Sequence, residues 1–315
     1  QLGDGTVLRR LTPVDVQNLP LNVTAISAGK TLSCAIMAGA IKCWGNLVYQ
    51  ASAYQVKPTP VQGLNGFDLG GGIANISLGE LHTCVLSYAS VAYCWGNNVQ
   101  GQLGDGTRNE RPTLIERNTP LSVKNLNGFA RSVVAGEGHT CALLNTGSIK
   151  CWGDNRKYQL GNGYQPPQPR PQPHETLIAN VTQIAAGDSH NCAVMQDGAV
   201  RCWGSNNLEQ LGISAETPAS AQAIFVSDIG TGQGKVPAQL VAASTNGACA
   251  LTLSGSVLCW GDDNPIPRKI SGLSQNVTAI AAGGDHYCAV QLGVAKCWGS
   301  NTSGELGDGT TNRAT

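Results

Sequence analysis

Three kinds of side chain recur at fixed offsets in this sequence and could do chemistry. They are cysteines in close pairs, histidines two residues before the first cysteine of a pair, and aspartates in Leu-Gly-Asp-Gly-Thr turns. The twelve cysteines fall as Cys34/Cys43, Cys84/Cys94, Cys141/Cys151, Cys192/Cys202, Cys249/Cys259 and Cys288/Cys297, with none left over. An even count, regular pairing and the lack of any Cys-x-x-Cys spacing point to six disulfides in an oxidising compartment rather than to zinc. His82, His139, His190 and His286 hold equivalent places in the repeat, and a set of imidazoles is a possible transition-metal site. Leu32 and Gly247 occupy the same position in the other two repeats, however, and equivalent places in different repeats diverge, so each histidine is read as making a hydrogen bond inside its own repeat. Asp4, Asp105 and Asp308 lack the clustered carboxylates that calcium requires and are read as turn residues. No metal or cofactor is expected. No nucleophile elbow, paired-carboxylate site or phosphate-binding glycine loop is present, and the chain is read as non-enzymatic.

The elements that position these residues are hairpins. In the fullest unit, His139 to Gly153, two β-prone runs flank Asn145-Thr146-Gly147-Ser148, and Asn and Gly tolerate the positive φ of a tight turn. Folding about Thr146 sets Cys141 opposite Cys151, and opposed residues on antiparallel strands lie roughly 4.5–5.5 Å apart at Cα, within disulfide range. All six tryptophans (Trp44, Trp95, Trp152, Trp203, Trp260, Trp298) follow the second cysteine of a pair and precede a glycine. Recurrence at this length is the mark of a solenoid, propeller or array.

Composition supports a globular β-rich protein. At 315 residues, 41% hydrophobic and 13% charged, the chain can bury a large core, and 40 glycines supply many turns. Lys plus Arg equals Asp plus Glu at 20 each, so no overall field draws it to nucleic acid or an anionic membrane. The first residues carry no signal-peptide pattern, and no apolar run reaches the roughly 18 residues of a membrane helix.

The repeats run approximately 1–45, 46–96, 97–153, 154–204, 205–261 and 262–299, with a partial unit at 300–315, and the chain is read as one domain. Each is expected to form four short strands: one after the Pro of runs such as Thr12-Pro13-Val14-Asp15-Val16 or Pro112-Thr113-Leu114-Ile115, one on the Val-Thr-x-Ile run, and two in the cysteine hairpin. Four such antiparallel strands make one propeller blade. The proline-rich insertion from Gln165 to Pro173 is expected to be a stiff extended surface loop. Gly101-Gln102-Leu103-Gly104-Asp105-Gly106-Thr107, Ala-Gly-x-x-His-Thr-Cys-Ala and Cys-Trp-Gly-x-Asn resemble repeats of the regulator-of-chromosome-condensation family over almost the whole chain. The resemblance implies a β-propeller of seven blades, whereas only six complete repeats are counted. Either six blades close, with residues 7–18 completing the last, or a seventh is missing. The family's founding activity, nucleotide exchange on a nuclear GTPase, uses a protruding wedge that this sequence does not display.

Five Asn-x-Ser/Thr sequons are candidate N-glycosylation sites: Asn22, Asn75, Asn180, Asn276 and Asn301. The first four are read as lying just before the Val-Thr-x-Ile strand, in an exposed turn. Disulfides, sequons and charge neutrality together imply a secreted, extracellular structural or adhesive propeller, a filament subunit that binds proteins, copies of itself among them, and carries N-linked glycans if the source is eukaryotic. The alternatives are a soluble protein-binding module or enzyme inhibitor and, remotely, a guanine-nucleotide exchange factor. No nucleic acid partner and no membrane insertion are expected.

Overall fold

The computed structural model describes residues 2–19, 21–37, 40–45, 55–61, 72–108, 117–164 and 167–314. Residues 112–115 and 165–166 lie outside them. The fold is an all-β β-propeller of six antiparallel blades, and no helix occurs among the described residues. Blade 1 is β1 (Val23–Ala28), β2 (Leu32–Met37), β3 (Ala40–Gly45) and β4 (Gln55–Pro60). Blade 2 is β5 (Ile73–Leu78), β6 (His82–Ser87), β7 (Ala92–Gly96) and β8 (Arg117–Ser122). Blade 3 is β9 (Ala130–Ala135), β10 (His139–Leu144), β11 (Ile149–Gly153) and β12 (Arg170–Glu175). Blade 4 is β13 (Val181–Ala186), β14 (His190–Met195), β15 (Val200–Ser205) and β16 (Ala219–Phe225). Blade 5 is β17 (Ala238–Ala243), β18 (Gly247–Thr252), β19 (Val257–Gly261) and β20 (Arg268–Lys269). Blade 6 has three strands, β21 (Val277–Ala282), β22 (His286–Gln291) and β23 (Val294–Gly299), plus a single bridge from Gly299 to Ala314.

The chain divides into two compact units of three blades. The first comprises 1–145, 150–154 and 169–174; the second comprises 146–149, 155–168 and 175–315. Within each unit, one face of a sheet carries the disulfide and packs on the Val/Ile face of the next. In the first unit Leu32, Cys34, Ile36, Ile41 and Cys43 of blade 1 meet Ile73, Ile76, Leu78, Val85 and Trp95 of blade 2. In the second unit Cys249, Leu251 and Val257 of blade 5 meet Val277, Tyr287, Ala289 and Trp298 of blade 6.

The Val-Thr-x-Ile run places apolar residues three apart, which a regular strand would send to opposite faces. A register irregularity resolves this: pairing slips between Val181 and Gln183, and likewise between Ile73 and Asn75 and between Val277 and Ala279. The bulge absorbs one residue, so Val181 and Ile184 are both buried, at 2% and 3% exposure.

Three expectations are corrected. Residues 12–16 form no strand, and residues 7–18 do not supply a fourth strand to blade 6, whose three strands are supplemented only by the Gly299–Ala314 bridge. The proline-rich insertion is not wholly loop: Arg170–Glu175 is the outer strand β12 of blade 3, an edge position where Pro171 and Pro173 cost few ladder bonds.

Candidate functional site

Each Cys-Trp-Gly-x-Asn segment organises the turn that follows it. The asparagine is a buried hub: Asn98, Asn206 and Asn301 are each 0% exposed. The Asn206 Oδ1 accepts from the Leu211 N–H at 2.9 Å, and its Nδ2 donates to the carbonyls of Ile213, Ser214 and Thr217 at 3.3, 3.0 and 2.9 Å. Asn155 and Asn301 accept from Leu160 and Leu306 in the same way, both at 3.0 Å. The turn then caps the tryptophan of the next hairpin. Trp152, Trp203 and Trp260 donate their indole N–H to the carbonyls of Gln102, Gln159 and Gln210 at 2.9, 3.0 and 3.1 Å. The glycine of the Leu-Gly pair lies directly beneath the ring: a Cβ on Gly161 (φ +60°) would stand 2.7 Å from the Trp203 Nε1. Asp105 and Asp308 cap their own turns, accepting from the backbone N–H of Thr107 and Thr310 at 3.0 and 2.9 Å. Asp4 does the same for Thr6 at 3.0 Å and also meets Arg10 at 2.9 Å, and these hydrogen bonds hold its carboxyl below the usual carboxylate range.

The expectation that each histidine bonds inside its own repeat fails for His82 of blade 2, whose partner Thr140 belongs to blade 3. His82, His139 and His190 are at most 1% exposed. The rings of His82, His190 and His286 pack against the Leu-Gly or Ala-Gly step before the hairpin, so that a side chain on Gly79, Gly187 or Gly283 would collide with them. The His82 Nε2 lies 2.8 Å from the Thr140 Oγ1, whose hydroxyl donates onward to the Gln102 carbonyl at 3.0 Å. Where Gly247 stands in place of histidine, the Tyr287 hydroxyl fills the space, 3.0 Å from where a Cβ would be, and bonds the Ser244 Oγ at 2.6 Å. Burial pushes that phenol up from its ordinary value. This substitution by a residue of the next blade has no signature in the sequence. The described residues contain no group of three or more potential metal ligands.

All six hairpin pairs are joined: Cys34–Cys43, Cys84–Cys94, Cys141–Cys151, Cys192–Cys202, Cys249–Cys259 and Cys288–Cys297 have Cα separations of 4.0–4.2 Å. Of the sequons, Asn22, Asn180 and Asn276 are exposed and stand one residue before β1, β13 and β21. Asn75 does not share that place. It is the third residue of β5, and its Oδ1 accepts from the Val133 N–H at 2.9 Å. Asn301 is the buried hub of the last turn, its Nδ2 donating to the Thr310 and Asn312 carbonyls. Beside Asn180 an open cleft of about 390 Å³ is lined by Met195, Gln196, Asp197, Arg201 and Phe225, with the Arg201 guanidinium 3.8 Å above the Phe225 ring. It pairs no nucleophile with a base.

Fold and repeat together define a propeller assembled from Cys-Trp-Gly hairpins. The regulator of chromosome condensation (RCC1) repeat matches residues 73–102, 130–159 and 181–210, and in a longer form 91–143 and 146–194. The chain carries repeats of this RCC1 type across residues 73–210. It is 28% identical to the ultraviolet-B receptor UVR8 of Arabidopsis thaliana over 92% of this chain and 68% of the receptor. It is 31% identical to the E3 ubiquitin-protein ligase HERC2 of Homo sapiens over 75% of this chain, but spans only 5% of the ligase. The crystal structure of yeast RCC1 bound to Kap60 shares the fold, with a TM-score of 0.81 and 18% identity over 96% of this chain and 76% of that one.

Proposed function

We propose that this protein is a non-enzymatic, protein-binding propeller that works outside the cell as a structural or adhesive element and assembles with copies of itself into filaments. The observation that carries the reading is the full set of six hairpin disulfides, nine of whose twelve cysteines are at most 2% exposed. Disulfides of this density persist in oxidising compartments. The relatives favour protein binding as the shared capacity: yeast RCC1 was crystallised bound to Kap60, and HERC2 is a ligase whose other 95% lies beyond the matched segment. The competing reading, a soluble binding module or inhibitor, is supported by the Arg201–Phe225 cleft, which suits a protruding loop of a partner.

Negative-stain microscopy and light scattering of the oxidised protein separate the two. Elongated, concentration-dependent assemblies are expected, and a monodisperse monomer at all concentrations overturns the filament reading in favour of the soluble module.

Carbohydrate provides an independent check on the compartment. If the source glycosylates, glycopeptide mass spectrometry is expected to find modified Asn22, Asn180 and Asn276. Asn75 and Asn301 are expected bare, because their amides are engaged in the blade and the turn. Modified Asn301 would mean that the last turn is not folded when the glycan is added.

A further inference from the structure

The cleft beside Asn180 joins a candidate modification site to a surface with the chemistry of a sugar site. Its lining residues all fall between 180 and 225, within the second compact unit. Asn180 takes a left-handed conformation, φ 59°, which asparagine tolerates, and its carbonyl accepts from the Gln196 N–H at 2.8 Å. That bond fixes the residue against the tip of its own blade's hairpin and leaves Asn180 exposed on the wall of the cleft. The rest of the lining is mixed. The Arg201 Nε is buried with no hydrogen-bond partner among the described residues, and its guanidinium stands 3.8 Å above the Phe225 ring, so a donor is left unmet. Asp197 spends one oxygen, Oδ1, on the Ala199 N–H at 3.0 Å and keeps the second as an acceptor. Phe225, 53% exposed, and Met195 add apolar surface. An anion in this cleft would face the Asp197 carboxylate and a cation the Arg201 guanidinium, so the lining favours a neutral ligand. An N-acetylated sugar meets every part of it, with a carbonyl to accept from Arg201, hydroxyls to donate to Asp197 and a C–H face to lie on an aromatic ring.

Resting on the extracellular reading above, we propose that this cleft seats the N-linked glycan of Asn180 itself. In the transfer the amide nitrogen attacks the anomeric carbon of a lipid-pyrophosphate-linked oligosaccharide: a C–N bond forms, the anomeric C–O bond breaks, the nitrogen gives up a proton and the lipid pyrophosphate leaves. The first sugars then fold back over Phe225. Because the ligand is tethered at the wall of its own site, docking is intramolecular. A short tether supplies an effective concentration of about millimolar, so contacts too weak to hold a free sugar suffice. Blade 1 lacks such a seat. There the register sets Pro60 across from Lys42 where blade 4 sets Phe225 across from Arg201, and the Lys42 Nζ already donates to the Asn18 carbonyl at 3.0 Å. A glycan on Asn180 closes the cleft to the partner loop considered above, and the unmodified chain leaves it open.

The test uses the full chain, secreted with its disulfides formed from a glycosylating eukaryotic host and digested by a peptide N-glycosidase without denaturation. Each site is followed by mass spectrometry as conversion of Asn to Asp. Cleavage passes through the undocked state, so a glycan docked about ten times as often as not is released about tenfold more slowly. That slowing is expected at Asn180 relative to Asn22, and relative to Asn180 in Phe225→Ala and Arg201→Ala, and it is expected to vanish in denaturant. Circular dichroism checks the fold, and Phe225→Leu, which keeps apolar bulk on the outer strand, serves if alanine disturbs it. An Asn180 glycan released as fast in wild type as in the variants overturns this inference, and so does a protected one that no variant releases faster. Asn180 bare while Asn22 or Asn276 is modified also overturns it, with the extracellular reading left standing. If all three are bare, that reading falls with it.

Discussion

Complete reduction is expected to unfold this protein at room temperature without denaturant. Each bridge closes a short hairpin, with a sequence separation of 9 or 10 residues. In the chain-entropy account a loop of that size contributes about 2.5–3 kcal/mol, so six together contribute roughly 15 kcal/mol. The net stability of a folded domain is only about 5–15 kcal/mol, and the loss therefore matches or exceeds it. The order of loss follows access. Cys288 and Cys297 are half-buried, whereas Cys84, Cys94, Cys141, Cys151, Cys192 and Cys202 are all 0% exposed. Titration with dithiothreitol, followed by alkylation and mass spectrometry, should show Cys288 and Cys297 modified first, with the near-ultraviolet tryptophan signal collapsing as the buried bridges open. A fully reduced chain that keeps that signal and melts within a few degrees of the oxidised one would contradict the prediction. It would also remove the ground for placing the protein in an oxidising compartment.

What the sequence made legible is what is encoded locally. The Cys-to-Cys spacing, the turn residues between the pairs and the trailing Trp-Gly define a hairpin without reference to anything distant, so hairpins, pairing and blade identity can all be read from it. The asparagine of Cys-Trp-Gly-x-Asn was equally visible as a pattern, but its role as a hub for Leu211, Ile213, Ser214 and Thr217 depends on where the chain returns. Features that depend on pairing register or on the neighbouring blade were not legible. The bulge between Val181 and Gln183 places two residues three apart on one face, which strict alternation cannot anticipate. Asn75 looks like the other sequons until the register sets it inside β5 against Val133. The run from Thr12 to Val16 forms no strand, although Pro171 and Pro173 are accepted in one. Tyr287 standing in for a histidine absent at Gly247 is a compensation across a blade junction.

The second large effect expected is an acid sensitivity traceable to His82. The Thr140 hydroxyl spends its proton on the Gln102 carbonyl, so the His82 Nε2 must be the donor in its 2.8 Å bond to Thr140, and the neutral ring keeps Nδ1 unprotonated. That Nδ1 is buried and has no partner to receive a new N–H. Burial, with a smaller contribution from repulsion by His139, holds the imidazole down to about 3 from an ordinary value of 6.5. A histidine whose folded value is depressed leaves stability untouched above its unfolded value and removes it as pH falls from about 6.5 toward about 3, because only the unfolded chain then takes up the proton. The slope is about 1.4 kcal/mol per pH unit for this one group. Between pH 6.5 and 4.5 His82 alone is expected to remove about 2 kcal/mol, the slope reaching its full value only once the unfolded imidazole is mostly protonated. Replacing it by glutamine, which keeps a donor for Thr140 and cannot titrate, should flatten denaturant-derived stability over this window by that amount relative to wild type. Identical pH profiles for His82→Gln and wild type would show that the ring is solvated or protonated in the folded protein, and the buried tautomer assigned to it would be wrong.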